Sequence, residues 1–295
     1  MKVFVTGASG FIGTAVVPEL LGAGHQVLSL VRSEAAAQAL TAAGAEAHLG
    51  TLEDLDSLKR GAAASDGVIH LAFNHDFSKF AENSELDRRA IEALGSALAG
   101  SDRPLLVTGG IGLLAPGRLV TEEDAPPPIS PSYPRVSEQA ALALVPQGVR
   151  ASVVRLPQVH NMVKQGFVSS LIAVARQKGV SAYVGDGTNR WSAAHVLDTA
   201  RLYRLALEKQ EAGVRYHAVA EEGVPLRDIA EAIGRGLKVP VVSLSPEEAG
   251  PHFGFLAAFA GLDMPASSTL TQERLGWHPT GPGMIADLEQ MRYEN

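Results

Sequence analysis

The run Thr6-Gly7-Ala8-Ser9-Gly10-Phe11-Ile12-Gly13 places three glycines at a spacing that suits phosphate chemistry. Gly7 permits a tight turn, Gly10 lets a pyrophosphate approach the backbone, and Gly13 lets a helix pack closely on a strand. Phosphates would then lie on unpaired N–H groups at the positive end of that helix. An apolar run, Val3–Thr6, comes directly before. The turn therefore opens a first strand–helix unit, and Thr6, Gly7, Ser9, Gly10, Phe11, Ile12 and Gly13 are expected to bind a dinucleotide. The second apolar run ends Leu28-Ser29-Leu30-Val31-Arg32-Ser33. A carboxylate at its end would hold a ribose 2′-hydroxyl. Arg32 stands there instead and suits a 2′-phosphate, so NADP(H) is expected over NAD(H). Glu34 fits better in the first turn of a helix capped by Ser33.

The elements that must position this turn follow from patterning. Apolar runs at Val3–Thr6, Gln26–Val31, Glu46–Leu49, Gly67–Ala72, Pro104–Thr108 and Ala151–Leu156 alternate with helical segments near 11–23, 34–43, 54–60, 82–99 and 134–146. Most of the runs are short and do not alternate, as in strands buried on both faces of a parallel sheet. The expectation is an α/β, doubly wound parallel sheet of Rossmann type over residues 1–156. A strand at Val214–Val219 is expected to rejoin it. Residues 157–212 and 221–295 read as a smaller substrate-binding region. It has helices at Gly166–Lys178, Ala194–Lys209, Pro225–Leu237, Pro246–Leu262 and Pro282–Met291, and strands at Ser181–Val184 and Val239–Leu244. Pro126–Pro134, with five prolines in nine residues, reads as a stiff loop on the rim of the main sheet.

Composition narrows the partners. Among 295 residues, 25 Lys and Arg face 32 Asp and Glu, a net −7 that disfavours nucleic acid. Cysteine is absent, which excludes disulfides, thiol nucleophiles and Cys-based zinc sites and fits a cytoplasmic protein. No apolar run approaches the roughly 18 residues of a membrane span. No His/Asp/Glu spacing resembles a metal cluster. A small-molecule substrate is the expected partner.

Several motifs together resemble the extended short-chain dehydrogenase/reductases, the superfamily of nucleotide-sugar epimerases and dehydratases. They are the glycine turn, Val68-Ile69-His70-Leu71-Ala72, Arg155-Leu156-Pro157, Gly185-Asp186-Gly187, Arg190-Trp191, His195-Val196-Leu197-Asp198 and Leu275-Gly276-Trp277. The resemblance spans nearly the whole chain. It implies a Rossmann domain with a C-terminal substrate-binding domain, and coenzyme contacts at Leu71, Ala72 and Pro157. It also implies a catalytic Ser or Thr, then a Tyr, with a Lys four residues after the Tyr. Tyr133 fills the Tyr position, Ser137 replaces the Lys, and Gly110 stands where the hydroxyl belongs, with Thr108 as a displaced substitute. Such departures match the atypical members of the superfamily. A Lys ammonium about 4 Å from a phenolate is worth up to roughly 4 kcal/mol at an effective dielectric near 20. Without it, Tyr133 is better suited to giving a proton during reduction than to abstracting one. On a helix, Arg135 would face away from Tyr133 and would not replace the Lys.

The expected activity is therefore NADP(H)-dependent reduction of a small carbonyl compound, with Tyr133 and Thr108 catalytic. Two alternatives stay open: an epimerase or dehydratase with tightly held coenzyme, and a non-catalytic NAD(P)-binding sensor. His75, His160, Asn161 and Tyr183 are candidate substrate contacts, and Trp191 a candidate pocket residue. His195 and Asp198 read as structural, capping and orienting the helix that follows them. Phe253, Phe255, Leu256 and Phe259 give a late helix an apolar surface, open to use as a pocket wall, a homodimer contact or plain core. As a pocket wall it would favour an apolar or aromatic carbonyl substrate.

Overall fold

Period-two alternation within the first strand decides which helices it meets. In β1 (Lys2–Thr6), Val3 and Val5 are buried in one core with α1 (Gly13–Gly22), while Phe4 is buried in another beside Gly61 of α3 (Leu55–Ala63). Burial on both sides is what a central parallel strand requires. The computed structural model describes the chain except for residues 113, 115, 116, 132, 294 and 295.

The main sheet has seven strands, all parallel, in the order β10-β6-β5-β4-β1-β2-β3. The others are β2 (Gln26–Val31), β3 (Glu46–Leu49), β4 (Gly67–His70), β5 (Pro104–Gly110), β6 (Arg150–Leu156) and β10 (Arg215–His217). Helices α1, α2 (Glu34–Ala42) and α7 (Val196–Lys209) cover one face. Helices α3, α4 (Phe80–Leu98) and α5 (Ser137–Leu142) cover the other. Ser33 caps α2 by accepting the Ala36 N–H at 3.3 Å, which sets Glu34 in the first turn. Strand order reverses between β1 and β4, so their carboxyl ends open the crevice where ligands bind in such sheets.

The remainder forms a second lobe. A three-stranded sheet, β11 (Glu221–Pro225)-β9 (Arg190–His195)-β7 (Gln158–His160), and a two-stranded one, β12 (Val241–Leu244)-β8 (Ser181–Val184), pack with helices around Trp191, Ile229, Leu256 and Met284. The helices are α6 (Val168–Lys178), α8 (Leu226–Leu237), α9 (Pro246–Phe253), α10 (Ala257–Ala260) and α12 (Met284–Gln290). Helix α11 (Thr269–Leu275) docks on β10, where the Thr271 hydroxyl accepts the His217 N–H at 2.8 Å. Among the described residues, no helix is long and apolar enough to cross a membrane.

Local patterning erred where tertiary pairing took over. The short strands β7, β9 and β11 carry no clear period of their own and exist because they pair with one another. The run expected as one helix from Pro246 to Leu262 is broken at Gly254, whose φ of +59° ends α9. Its start is as expected, with a complete capping box between Ser245 and Glu248. The helix expected near 134–146 begins only at Ser137, so Tyr133 and Arg135 lie in extended loop rather than on one helix face.

Candidate active site

The glycine turn is tight because neighbouring backbone fills the space side chains would need. Gly7 has φ +71°, and a Cβ there would lie 2.8 Å from the Ala72 nitrogen. A Cβ on Gly13 would lie 2.2 Å from the Gly7 carbonyl oxygen. The Gly10 N–H closes the turn on that same oxygen at 2.9 Å. Strand β4 stops at His70 because the next residues bend over the turn: Leu71 N–H donates to the Thr6 carbonyl and Ala72 N–H to the Thr6 hydroxyl, each at 3.2 Å. Thr6, Gly7, Leu71 and Ala72 are thus brought together. Ile12 leads into helix α1 with no side-chain cap on its start; the Thr14 and Ala15 N–H groups close onto the Gly10 and Ile12 carbonyls at 2.9 and 3.0 Å, and Ser9 and Gly10 are exposed beside them. Phe11 is half-buried, with the Lys164 ammonium 5.7 Å from its ring. Arg32 is exposed at the end of β2, with no hydrogen bond or ion pair among the described residues.

The corner around Tyr133 is built differently. Tyr133 and Ser130 pair backbone to backbone, and the Tyr133 N–H also reaches the Ser130 hydroxyl at 3.1 Å. Burial raises the Tyr133 pKa above its ordinary value of 10, while the Arg135 guanidinium pulls the other way. Arg135 lies 4.5 Å above the Phe73 ring and donates to the Thr108 carbonyl at 3.3 Å, and its buried Nε has no partner among the described residues. The helix on which Arg135 would have faced away from Tyr133 is not there, because neither residue is helical.

Two other expectations at this corner change. Ser137 is buried, and its hydroxyl donates to Asp87 at 2.5 Å. Asp87 pairs with His70 Nε2 at 2.9 Å, and His70 Nδ1 meets the Thr6 hydroxyl at 2.8 Å. The residue in the Lys position therefore belongs to a buried relay ending at the glycine turn. Thr108 was expected to polarise a carbonyl. Its single proton goes to the His70 carbonyl at 2.8 Å, and the Tyr203 hydroxyl lies 2.7 Å away, so no donor remains for a ligand.

A second buried network anchors the proline-rich loop at both ends. Arg155 donates to the Glu138 carboxylate at 2.8 and 2.7 Å and to the Asp124 carbonyl at 2.6 Å. His217 Nε2 lies 3.1 Å from Arg155, and Arg215 adds a bond to Glu138 at 2.6 Å. Asp124 precedes the loop and Glu138 follows it. Tyr133 hangs between two fixed points.

Pro157, expected at the coenzyme, and Trp191, a candidate pocket residue, share the lining of a small cavity of about 30 Å³ with Ile111, Leu156 and Met264. The Trp191 indole N–H is buried there without a partner among the described residues. His75 is exposed past β4, 5.5 Å from the Phe73 ring. Lost hydration there, then the Arg135 charge, holds its pKa below the ordinary value. His160 is not brought to this edge. Pairing of β7 with β9 draws it fully into the second lobe, with Nδ1 2.6 Å from Asp287. Asn161 is a turn former whose Oδ1 accepts the Val163 and Lys164 N–H groups at 2.8 and 2.9 Å. Tyr183 lies on β8 beside Gly187 and Arg227 of the second lobe. His195 caps α7, and Asp198 holds the Gly281 N–H at 2.7 Å, as expected of structural residues. Phe253 and Leu256 belong to the core of the second lobe and Phe259 packs against it, whereas Phe255 is exposed; Phe255 and Phe259 both join a chain of aromatic rings.

A family model described as the NAD dependent epimerase/dehydratase family matches residues 3–220. The chain belongs to that family. This family member is 53% identical to the uncharacterized protein C2A9.02 of Schizosaccharomyces pombe, a match covering 99% of this chain and 100% of that one. It is 30% identical to 4-hydroxy-2-methyl-3-oxo-4-farnesyl-3,4-dihydroquinoline-1-oxide ketoreductase of Stigmatella aurantiaca, over 86% of this chain and 80% of that one. Among solved structures, UDP-glucose 4-epimerase of Thermus thermophilus in complex with NAD shares the fold, with a TM-score of 0.76 at 20% identity over 99% of both chains. As a member of the epimerase/dehydratase family, the protein is an NAD(P)-dependent enzyme. The glycine cradle and uncapped start of α1 fit that coenzyme's diphosphate.

Sequence reading missed Asp87, Glu138, Lys164 and the placement of Arg135. Asp87 and Glu138 carry the only available signal, as charged residues on helices that must bury one face.

Proposed function

We propose that this enzyme reduces a small carbonyl compound with NADP(H), and that Tyr133 gives the proton. The observation that carries the proposal is the inward turn of Ser137 onto Asp87, which among the described residues leaves no Lys charge acting on a phenol that burial keeps protonated. A neutral phenol can donate to an oxyanion forming from a carbonyl, whereas starting an alcohol oxidation calls for a phenolate. A bound reduced nicotinamide would supply hydride to the carbonyl carbon. Tyr133 would pass its proton to the carbonyl oxygen, and the Arg135 charge would steady the resulting phenolate until solvent reprotonates it. Residues Thr6, Gly7, Gly10 and Gly13, with Leu71, Ala72 and Pro157, would hold the coenzyme, and Arg32 would meet a 2′-phosphate. Carbonyl reduction is also the activity named for the Stigmatella aurantiaca relative. Tyr133→Phe tests the reading. Turnover of ketones or aldehydes should fall at least about a hundredfold, the usual scale of a lost general acid, with NADPH affinity retained. Unchanged turnover would remove Tyr133 from the reaction. Binding of NADPH by the unaltered protein with no turnover over a broad carbonyl panel would favour the sensor reading.

A further inference from the structure

Six of the nine Phe in the chain form one unbroken series of ring contacts: Phe73, Phe77, Phe80, Phe167, Phe255 and Phe259. Three come from the segment after β4 and the start of α4, and three from the second lobe. Phe77 makes both links between lobes, tilted against Phe167 at 5.8 Å and close to a parallel stack on Phe255, at 6.1 Å between centroids and 19° between planes. Phe167 and Phe259 also pack against the core of the second lobe, whereas Phe73, Phe77, Phe80 and Phe255 belong to no hydrophobic core among the described residues. All are half-buried except Phe255, which is 58% exposed. Leaving apolar area in water forgoes roughly 25 cal/mol per Å², so a concentration of such rings at a crevice points to something that covers them. The series starts at the proton donor's corner, because Arg135 lies over Phe73 and its charge reaches Tyr133.

Resting on the reductase reading above, we infer that this ring series is the wall of the substrate pocket and takes carbonyl compounds bearing a flat apolar group. A nucleotide sugar does not suit it. The faces of the six rings carry no hydrogen-bonding group to replace the water that a sugar's hydroxyls and a diphosphate would give up there.

The test uses the full chain saturated with NADP+, and NAD+ in a parallel arm, with 2-naphthol as an unreactive product mimic followed by NMR and calorimetry. Phe255→Ala, at an exposed position, should weaken 2-naphthol binding about threefold to tenfold, the span of one aromatic contact, with coenzyme affinity within about twofold. Phe77→Leu keeps the volume but loses the ring and should weaken it similarly. UDP-glucose should not compete. Unchanged 2-naphthol affinity in both variants, or displacement by UDP-glucose, overturns the inference. The two readings fail separately. Phe-dependent binding of 2-naphthol without turnover of any carbonyl keeps the wall and removes the reductase, whereas turnover indifferent to Phe255 and Phe77 does the reverse.

Discussion

At the glycine turn, position is set by backbone against backbone: Gly7 against Ala72, and Gly13 against the Gly7 carbonyl. At the Tyr133 corner, position is set by buried side chains drawn from distant stretches, with Ser137 on Asp87 and Arg155 on Glu138 and Asp124. The two regions share one crevice, and the relay through His70 joins them physically. The difference shows why a family motif carries over at one and not at the other. Backbone geometry needs a few contiguous glycines and tolerates no substitute. A side-chain network tolerates new letters if donors and acceptors still match, and here a Ser has become part of the scaffold.

The contrast is most exposed at Arg155. Arg155→Met leaves Glu138 buried with Arg215 as its one remaining cation and should cost about 3–5 kcal/mol in denaturant unfolding. A loss under about 1 kcal/mol would mean that the corner is not held by this network.

A second probe is pH. Burial, with the Arg155 charge beside it, pushes His217 down to about 4. Unfolded, it would titrate near 6.5. The folded protein thus binds fewer protons between those values. Its stability should be full above about pH 6.5 and fall by up to about 3 kcal/mol as pH drops toward 4. His217→Gln should flatten that slope, and an unchanged slope would assign it to other groups.

On the nucleotide side, Arg32→Ala removes a side chain with no hydrogen bond or ion pair among the described residues, beyond its charge acting on Glu53. NADPH affinity should drop roughly tenfold and NADH affinity should stay the same, measured by calorimetry. Equal losses would end the 2′-phosphate role. The smallest effect is expected at Gly110, where a Cβ would meet nothing within 4 Å. Gly110→Ser, which restores the family's hydroxyl position, should change stability by no more than about 0.5 kcal/mol. A large loss would show that this vacancy too belongs to the scaffold.

Read as a string of letters, the chain already specifies the main-sheet strands, their order of appearance, the cradle at Gly7, Gly10 and Gly13, and the start of a helix at Pro246. Each depends on neighbours within a turn or a strand length. Strands β7, β9 and β11 were hidden because three to six residues acquire a period only from their partners. The inward turn of Ser137, the commitment of the Thr108 proton, the burial of His160 and the seating of Arg135 on Phe73 and the Thr108 carbonyl were decided by folding alone. Each requires residues tens to more than a hundred positions apart to meet in a space that water has left, and there every donor must find an acceptor.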